Sequence, residues 1–342
     1  MKTVFDEVSL NHLNAKNRIV RSATWEAVSN LDGSPSREQI KIYEELAKGG
    51  VGTIITGFTT VMDNDSYIEG MSRISNNKLI SKWKELTECV HKENCKIIIQ
   101  LALGDYILNG KCINQDNCKK EELEYLVDMF GKASKRAKEA GFDGIQIHAA
   151  HNFWLSRFIS PAFNHRSDIY GGDQKSRTRL LVEIYEEIKS NAPDLHITMK
   201  INCSDFFEGG LSMDNAMETC LIMADKGIDS IEISGNGTSV SNIKPGVNEA
   251  YYLPFAKELK KHSQVPIILV GGHRSIENMN NILKDTDIEL LSISRPLIRE
   301  PELMNRWQSG DTSPAKCISC NMCYQTPMHK CIFILKDNEN LK

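Results

Sequence analysis

The sequence predicts an α/β fold, a closed (β/α)8 TIM barrel. Three observations support this: a helix-to-strand junction that recurs along the chain, eight strand-like runs, and no glycine fingerprint after the first of them. The junction appears as Lys48-Gly49-Gly50-Val51-Gly52 before Thr53-Ile54-Ile55, as Ala140-Gly141-Phe142-Asp143-Gly144 before Ile145-Gln146-Ile147, and as Lys226-Gly227-Ile228-Asp229-Ser230 before Ile231-Glu232-Ile233. A glycine after the last helical turn takes a left-handed conformation without a Cβ penalty, so each copy stops a helix and starts a strand. The helix before the second copy carries an apolar stripe at spacings of three and four: Leu123, Leu126, Val127, Phe130, Ala133 and Ala137. One face of that helix is expected to meet a sheet.

The remaining strand-like runs are Arg18–Val20, Lys96–Leu101, His196–Ile201, Pro266–Val270 and Glu289–Ile293. Strands that alternate with helices imply a parallel sheet, because parallel neighbours need a crossover. An open doubly wound sheet is the alternative, and it would normally carry a glycine fingerprint after its first strand. Here the first strand runs into Ser22-Ala23-Thr24-Trp25-Glu26, which favours closure. The barrel is expected over residues 1–310, with a cysteine-rich tail over 311–342.

Composition narrows the function. With 41% hydrophobic and 25% charged residues the chain can bury a large core. Its 41 basic and 45 acidic side chains offer no field for nucleic acid or anionic lipid, so a small-molecule substrate is expected. No apolar run approaches the roughly 20 residues that span a bilayer, and the start lacks a signal-peptide core, so a cytoplasmic location away from membranes is expected.

Active sites of such barrels sit on the loops after the strands, with phosphate commonly held after strands seven and eight. Those loops are Val270-Gly271-Gly272-His273-Arg274-Ser275 and Ser292-Ile293-Ser294-Arg295-Pro296. Paired glycines let backbone N–H groups approach phosphate, the helix begun near Ser275 adds a favourable dipole, and Arg295 adds a charged contact. The same glycines could equally make no more than a tight turn. Strand four ends in His148-Ala149-Ala150-His151-Asn152-Phe153, whose two imidazoles can donate to a carbonyl or anion. Zinc at this pair would need a third ligand, and none is evident nearby. Gln100 ends strand three, and Lys200 on strand five is expected to face the barrel mouth as a buried cation in need of an anion, which a reduced flavin would supply.

In these blocks the sequence resembles the old yellow enzyme family of FMN-dependent ene-reductases. The resemblance rests on Lys16-Asn17-Arg18-Ile19-Val20, Ile99-Gln100-Leu101, His148-Ala149-Ala150-His151, and Phe158-Ile159-Ser160-Pro161 through Asn164, Arg166, Asp168, Tyr170-Gly171-Gly172 to Arg177-Thr178-Arg179. It implies FMN across the barrel mouth, with Ala23 and Thr24 behind the flavin, Gly57 bordering the ring, and Gln100 and Lys200 on the pyrimidine edge. Gly271, Gly272, Ser294 and Arg295 would hold the phosphate, and His148 and His151 would bind the substrate's carbonyl, nitro or anionic group. The implied reaction is hydride transfer from NAD(P)H through FMN to an electron-poor C=C. Phe153 stands where the family usually carries a proton-donating Tyr, which puts routine enone reduction in question, and Trp25 is expected to narrow the pocket. A homo-oligomer is expected.

The chain has ten cysteines, and four of them, Cys317, Cys320, Cys323 and Cys331, give C-x2-C-x2-C-x7-C near the C-terminus. Closely spaced thiolates suit a metal or iron-sulfur centre. The motif is similar to the 4Fe-4S motif of the trimethylamine dehydrogenase and 2,4-dienoyl-CoA reductase branch, although its last interval is short for that branch. A 4Fe-4S cluster, structural zinc and a metal-free thiol tail all remain open. With a cluster, the alternative function is an amine dehydrogenase or demethylase passing electrons to a carrier protein. A flavin-free aldolase or isomerase using Lys200 covalently is a further alternative.

Overall fold

In a computed structural model, which describes residues 2–65, 67–237 and 239–339, the expected strand runs become eight parallel strands. They are β1 (Ile19–Arg21), β2 (Thr53–Ile55), β3 (Lys96–Ala102), β4 (Gly144–Ala149), β5 (His196–Asn202), β6 (Ser230–Ser234), β7 (Ile267–Leu269) and β8 (Leu290–Ile293). Each pairs with the next in chain order, and β8 returns to β1 with Leu291 opposite Ile19 and Ile293 opposite Arg21. That last ladder decides between closed and open sheets: the barrel is closed. The last three residues of the expected tail, 340–342, lie outside the described residues.

The crossover helices are α1 (Arg37–Lys48), α2 (Ile80–His91), α3 (Lys120–Glu139), α4 (Gln174–Asn191), α5 (Met213–Asp225), α6 (Leu253–His262) and α7 (Ile276–Asp285). After β8 come α8 (Arg295–Arg299) and α9 (Leu303–Gln308). Ser36, Asp173, Ser212 and Ser275 start α1, α4, α5 and α7 by accepting an N–H three residues on with their side chains. The three glycine junctions stop helices as expected, with the left-handed residue at Gly50 (φ 95°), Gly141 (φ 83°) and Gly227 (φ 89°). The stripe on α3 is buried except for Val127, which is partly covered.

Alternation along the strands sorts the core into two clusters. Ile19, Ile54, Ile97, Ile99, Ile145, Ile147, Met199, Ile231, Ile267 and Leu291 point outward under the helices. Val20, Ile55, Ile98, Ile268 and Leu290 point inward and meet Val8, Leu13 and Ala15 of a hairpin formed by Val8–Leu10 and Leu13–Ala15. The hairpin plugs the N-terminal end of the barrel. Two residues further along the strands, the inward side chains turn polar: Ser22, Gln100, Lys200, Glu232 and Ser292. Stacked layers of this kind are what strand alternation in a barrel produces.

Gly49 touches the far end of the barrel wall: a Cβ there would lie 1.9 Å from the Pro301 carbonyl oxygen. The obstacle is backbone, so neither side can yield by a rotamer change. Gly49→Ala is therefore expected to destabilise the fold by about 1–3 kcal/mol, the usual cost of overpacking, as a lowered denaturation midpoint. An unchanged midpoint would mean that α1 and the Pro301 segment are not in close contact.

Candidate active site

A cleft opens at the C-terminal ends of the strands and collects side chains from most of them. Of the residues singled out from the sequence, Ala23, Thr24, Trp25, Gln100, His148, His151, Phe153, Lys200, Gly272, Ser294 and Arg295 line it. Gly57 and Gly271 do not. Gly57 lets the β2 loop press on the β1 loop, since a Cβ there would meet the Thr24 carbonyl at 2.7 Å, and its N–H donates to the Tyr43 hydroxyl at 3.0 Å. Gly271 (φ 144°) backs onto the Ala250–Tyr252 backbone, accepting the Tyr251 N–H at 3.3 Å. Both glycines shape the wall from behind.

Beneath the cleft the polar layer is bonded around one carboxylate. Glu232, fully buried, accepts from Ser22 Oγ and Ser292 Oγ at 2.8 Å and from Gln146 Nε2 at 2.9 Å, and lies 3.2 Å from Lys200 Nζ. Lys200 also donates to Ser22 Oγ at 2.8 Å. The buried cation expected to await a flavin thus already has an anion in the protein. Glu232 had a readable signal, because flanking Ile231 and Ile233 must face outward if the central residue faces in. Gln146 in turn accepts the Gln100 amide N–H at 2.7 Å, which commits the donor end of Gln100 and leaves its carbonyl oxygen for the cleft.

His148 and His151 stand edge to face, 5.2 Å between ring centroids. His151 and Asn152 are both left-handed (φ 60°), a turn that brings the second ring back beside the first. The His151 N–H donates to Asn202 Oδ1 at 3.2 Å, and its Nε2 lies 2.8 Å from Ser234 Oγ. No described protein group bonds the His148 ring, whose Nδ1 is buried without a partner. The Phe153 ring packs 4.4 Å from His148 and 5.0 Å from both Phe58 and Tyr67. This side of the cleft is apolar apart from the two imidazoles.

On the phosphate side, Gly272 (φ 81°) lines the cleft where a Cβ would strike the Tyr251 ring at 2.8 Å. Ser294 Oγ pairs with Thr24 Oγ1 at 2.7 Å and receives Arg21 Nη1 at 3.2 Å. Arg295 donates to the Val240 carbonyl at 2.9 Å and to Asn321 Oδ1. Sequence reading passed over Arg274, which is 2% exposed and reaches from the β7 loop to the tail. It donates to the Cys317 carbonyl (3.2 Å), to Ser319 Oγ (2.9 Å) and to Cys317 Sγ (3.7 Å).

The tail crosses the cleft mouth as a strap. Asn321 Nδ2 donates to the Ser239 carbonyl at 2.6 Å, Tyr324 pairs with the Ser239 hydroxyl, and Lys330 meets Glu38 at 3.0 Å. His329 bonds the Trp25 carbonyl at 2.8 Å and stands edge-on to the Trp25 ring, 4.6 Å between centroids. Along this strap Cys317 lies against Arg274, Cys320 is exposed, Cys323 is in the cleft wall, and Cys331 comes just before the helix Ile332–Glu339; burial raises the pKa of Cys323, helped by the nearby Cys317 and Cys320 thiols. Among the described residues no three His, Cys, Asp or Glu side chains gather as a metal-holding set. Between Cys320 and Cys331 the strap turns through two short 3-10 helices, Met322–Gln325 and Pro327–His329.

The chain matches the family profile described as "NADH:flavin oxidoreductase / NADH oxidase family" over residues 3–109 and 105–313. It belongs to that family. NADPH dehydrogenase of Listeria welshimeri is 30% identical over 316 residues, covering 88% of this chain and 93% of that protein. In fold the chain is similar to histamine dehydrogenase from Rhizobium sp. 4-9, with a TM-score of 0.83 and 24% identity over 96% of this chain, and it spans only 51% of that larger protein. It is also similar to the old yellow enzyme homologue from Zymomonas mobilis, with a TM-score of 0.75 and 20% identity, over 93% and 96% of the two chains. Family membership makes this an FMN-dependent oxidoreductase of old yellow enzyme type with NAD(P)H as reductant. The residues present fit FMN: the unclaimed Gln100 oxygen, the unpartnered His148 ring and the Gly272 turn all open on one cleft. No described helix is long and apolar enough to cross a membrane.

Burial sets the charge state of the histidines. It pushes the pKa of His148 well down, helped by His151 and Lys200; His151 falls to about 3 and His273 to about 4. With folded pKa values below the unfolded value of about 6.5, the unfolded chain takes up protons first as pH falls. The stability of these neutral rings is therefore complete above about pH 6.5 and is lost as pH falls, down to about 4 for His273 and about 3 for His151, at up to about 1.4 kcal/mol per pH unit for each ring. Denaturant titrations across that window should show the decline, shallower in His151→Gln. A flat wild-type profile would contradict buried neutral rings.

Proposed function

We propose that the chain reduces small electron-poor acceptors, such as an activated C=C bearing a carbonyl or nitro group, and that the cleft is the site of both half-reactions. The observation that carries this is the neutral His148–His151 pair, facing the same cleft as Gln100, Lys200 and the Gly272–Arg295 side. When bound, FMN supplies hydride chemistry between NAD(P)H and the acceptor.

Each group of residues has a distinct task in this reading. Gln100 and Lys200 hold the pyrimidine edge, and Gly272, Ser294 and Arg295 hold the phosphate. His148 and His151, being neutral donors in a water-poor pocket, orient the acceptor oxygen and stabilise the charge that develops there. Removing two such donors (His148→Ala with His151→Ala) is expected to lower kcat/KM for enones by about 10²–10³-fold. Unchanged kcat/KM would remove the pair from the substrate site.

Phe153 cannot donate a proton, and it sits against His148 where a donor would be useful. Solvent then supplies the proton after transfer, which favours acceptors whose reduced form is stabilised as an anion. Phe153→Tyr restores a phenol at that spot and is expected to raise kcat for simple enones by about 10²-fold or more, the usual range for a positioned acid. No gain in kcat would place the proton's entry elsewhere. The whole reading is tested by loading purified protein with FMN under anaerobic conditions. Bleaching of the flavin by NADPH or NADH, then recovery on adding an enone, is expected; bleaching by an amine alone would instead support the dehydrogenase alternative.

The spacing of the tail cysteines, together with Cys323 in the cleft wall, is what favours a 4Fe-4S cluster and a protein electron carrier. Iron and acid-labile sulfide assays on anaerobically purified protein are expected to find about four of each per chain. Absence of both would remove the cluster and the carrier protein with it.

A further inference from the structure

Glu232 is not needed to build the barrel wall, which would accept an apolar residue at an inward strand position, and burying a carboxylate there is costly unless it is fully bonded. Its four contacts all come from donors, which is the environment of an ionised carboxylate. The bonds also run in one direction. Lys200 donates to Ser22, Ser22 donates to Glu232, Gln100 donates to Gln146, and Gln146 donates to Glu232. Both residues that face the pyrimidine edge, Lys200 and Gln100, are therefore governed from below by the same acceptor.

We propose that Glu232 is a positioning residue that sets the reduction potential of the bound flavin, by cancelling the Lys200 charge and by fixing the carbonyl end of Gln100 toward the cleft. This rests on the FMN reading above. Reduction adds negative charge to the flavin's pyrimidine edge. A bare ammonium beside that edge would favour the reduced form strongly, because little water is present to screen it: the Lys200 and Glu232 side chains are 4% and 0% exposed. The carboxylate directly behind the ammonium removes most of that bias. The bound flavin is thereby kept a stronger hydride donor than Lys200 alone would allow.

The test is the two-electron midpoint potential of the FMN-loaded protein, compared among wild type, Glu232→Gln, Lys200→Gln and the double variant. Glu232→Gln is expected to move the potential positive by at least a tenfold change in the reduced-to-oxidised ratio, about 30 mV for two electrons. Lys200→Gln should move it negative, and the double variant should fall between the two single variants. A Glu232→Gln protein that retains FMN at the wild-type potential overturns the proposal. If that variant does not fold, Lys200→Gln is compared with the double variant, which lacks the buried pair altogether. The double variant should then lie positive of Lys200→Gln by at least the same tenfold ratio, and coincidence overturns the proposal. Wild-type protein that takes up no FMN overturns the functional reading as well, and is distinguished by the missing flavin absorbance.

Discussion

The buried carboxylate of Glu232 is the constraint to which the rest of the cleft answers. An ionised group at zero exposure must have every lone pair satisfied, so its neighbours are obliged to be donors. Ser22, Ser292, Gln146 and Lys200 meet that demand from β4, β5 and the ends of β1 and β8. With Gln146 bonded to Glu232 and accepting the Gln100 amide N–H, the Gln100 carbonyl is left facing the cleft. The polar floor converts a symmetric barrel into a surface with defined donors and acceptors.

Much of this was legible before any coordinates. Strand alternation turned Lys200 toward the barrel mouth, Gln100 and His148 were placed at strand ends, and the glycine junctions located helix ends to within a residue or two. The rest depended on which segments meet in space. At Gly57 and Gly271 the missing Cβ atoms make room for protein backbone, which local sequence does not reveal. Lys200 was read as lacking an anion because its partner lies one strand over, where register and not sequence distance decides contact. Arg274 escaped notice because a buried arginine whose bonds go to a distant segment leaves no local pattern.

The cysteine-bearing tail is tied to the cleft at several points. Here Arg274, Arg295 and Trp25 claim the intervening backbone and side chains and draw the segment along the cleft mouth. Those anchors lie in the very loops that frame the phosphate side, so the strap and the cofactor site share supports. The order of one depends on the order of the other.

The hairpin at the opposite end has its own consequence. Val8, Leu13 and Ala15 seal the barrel axis from below, and the apolar layer of Val20, Ile55, Ile98, Ile268 and Leu290 completes the stopper. What lies above is a well closed from below. A nicotinamide donor and its acceptor would both have to enter from the cleft end, past the strap. Turnover would then be a matter of exchange at the rim as much as of chemistry at the floor.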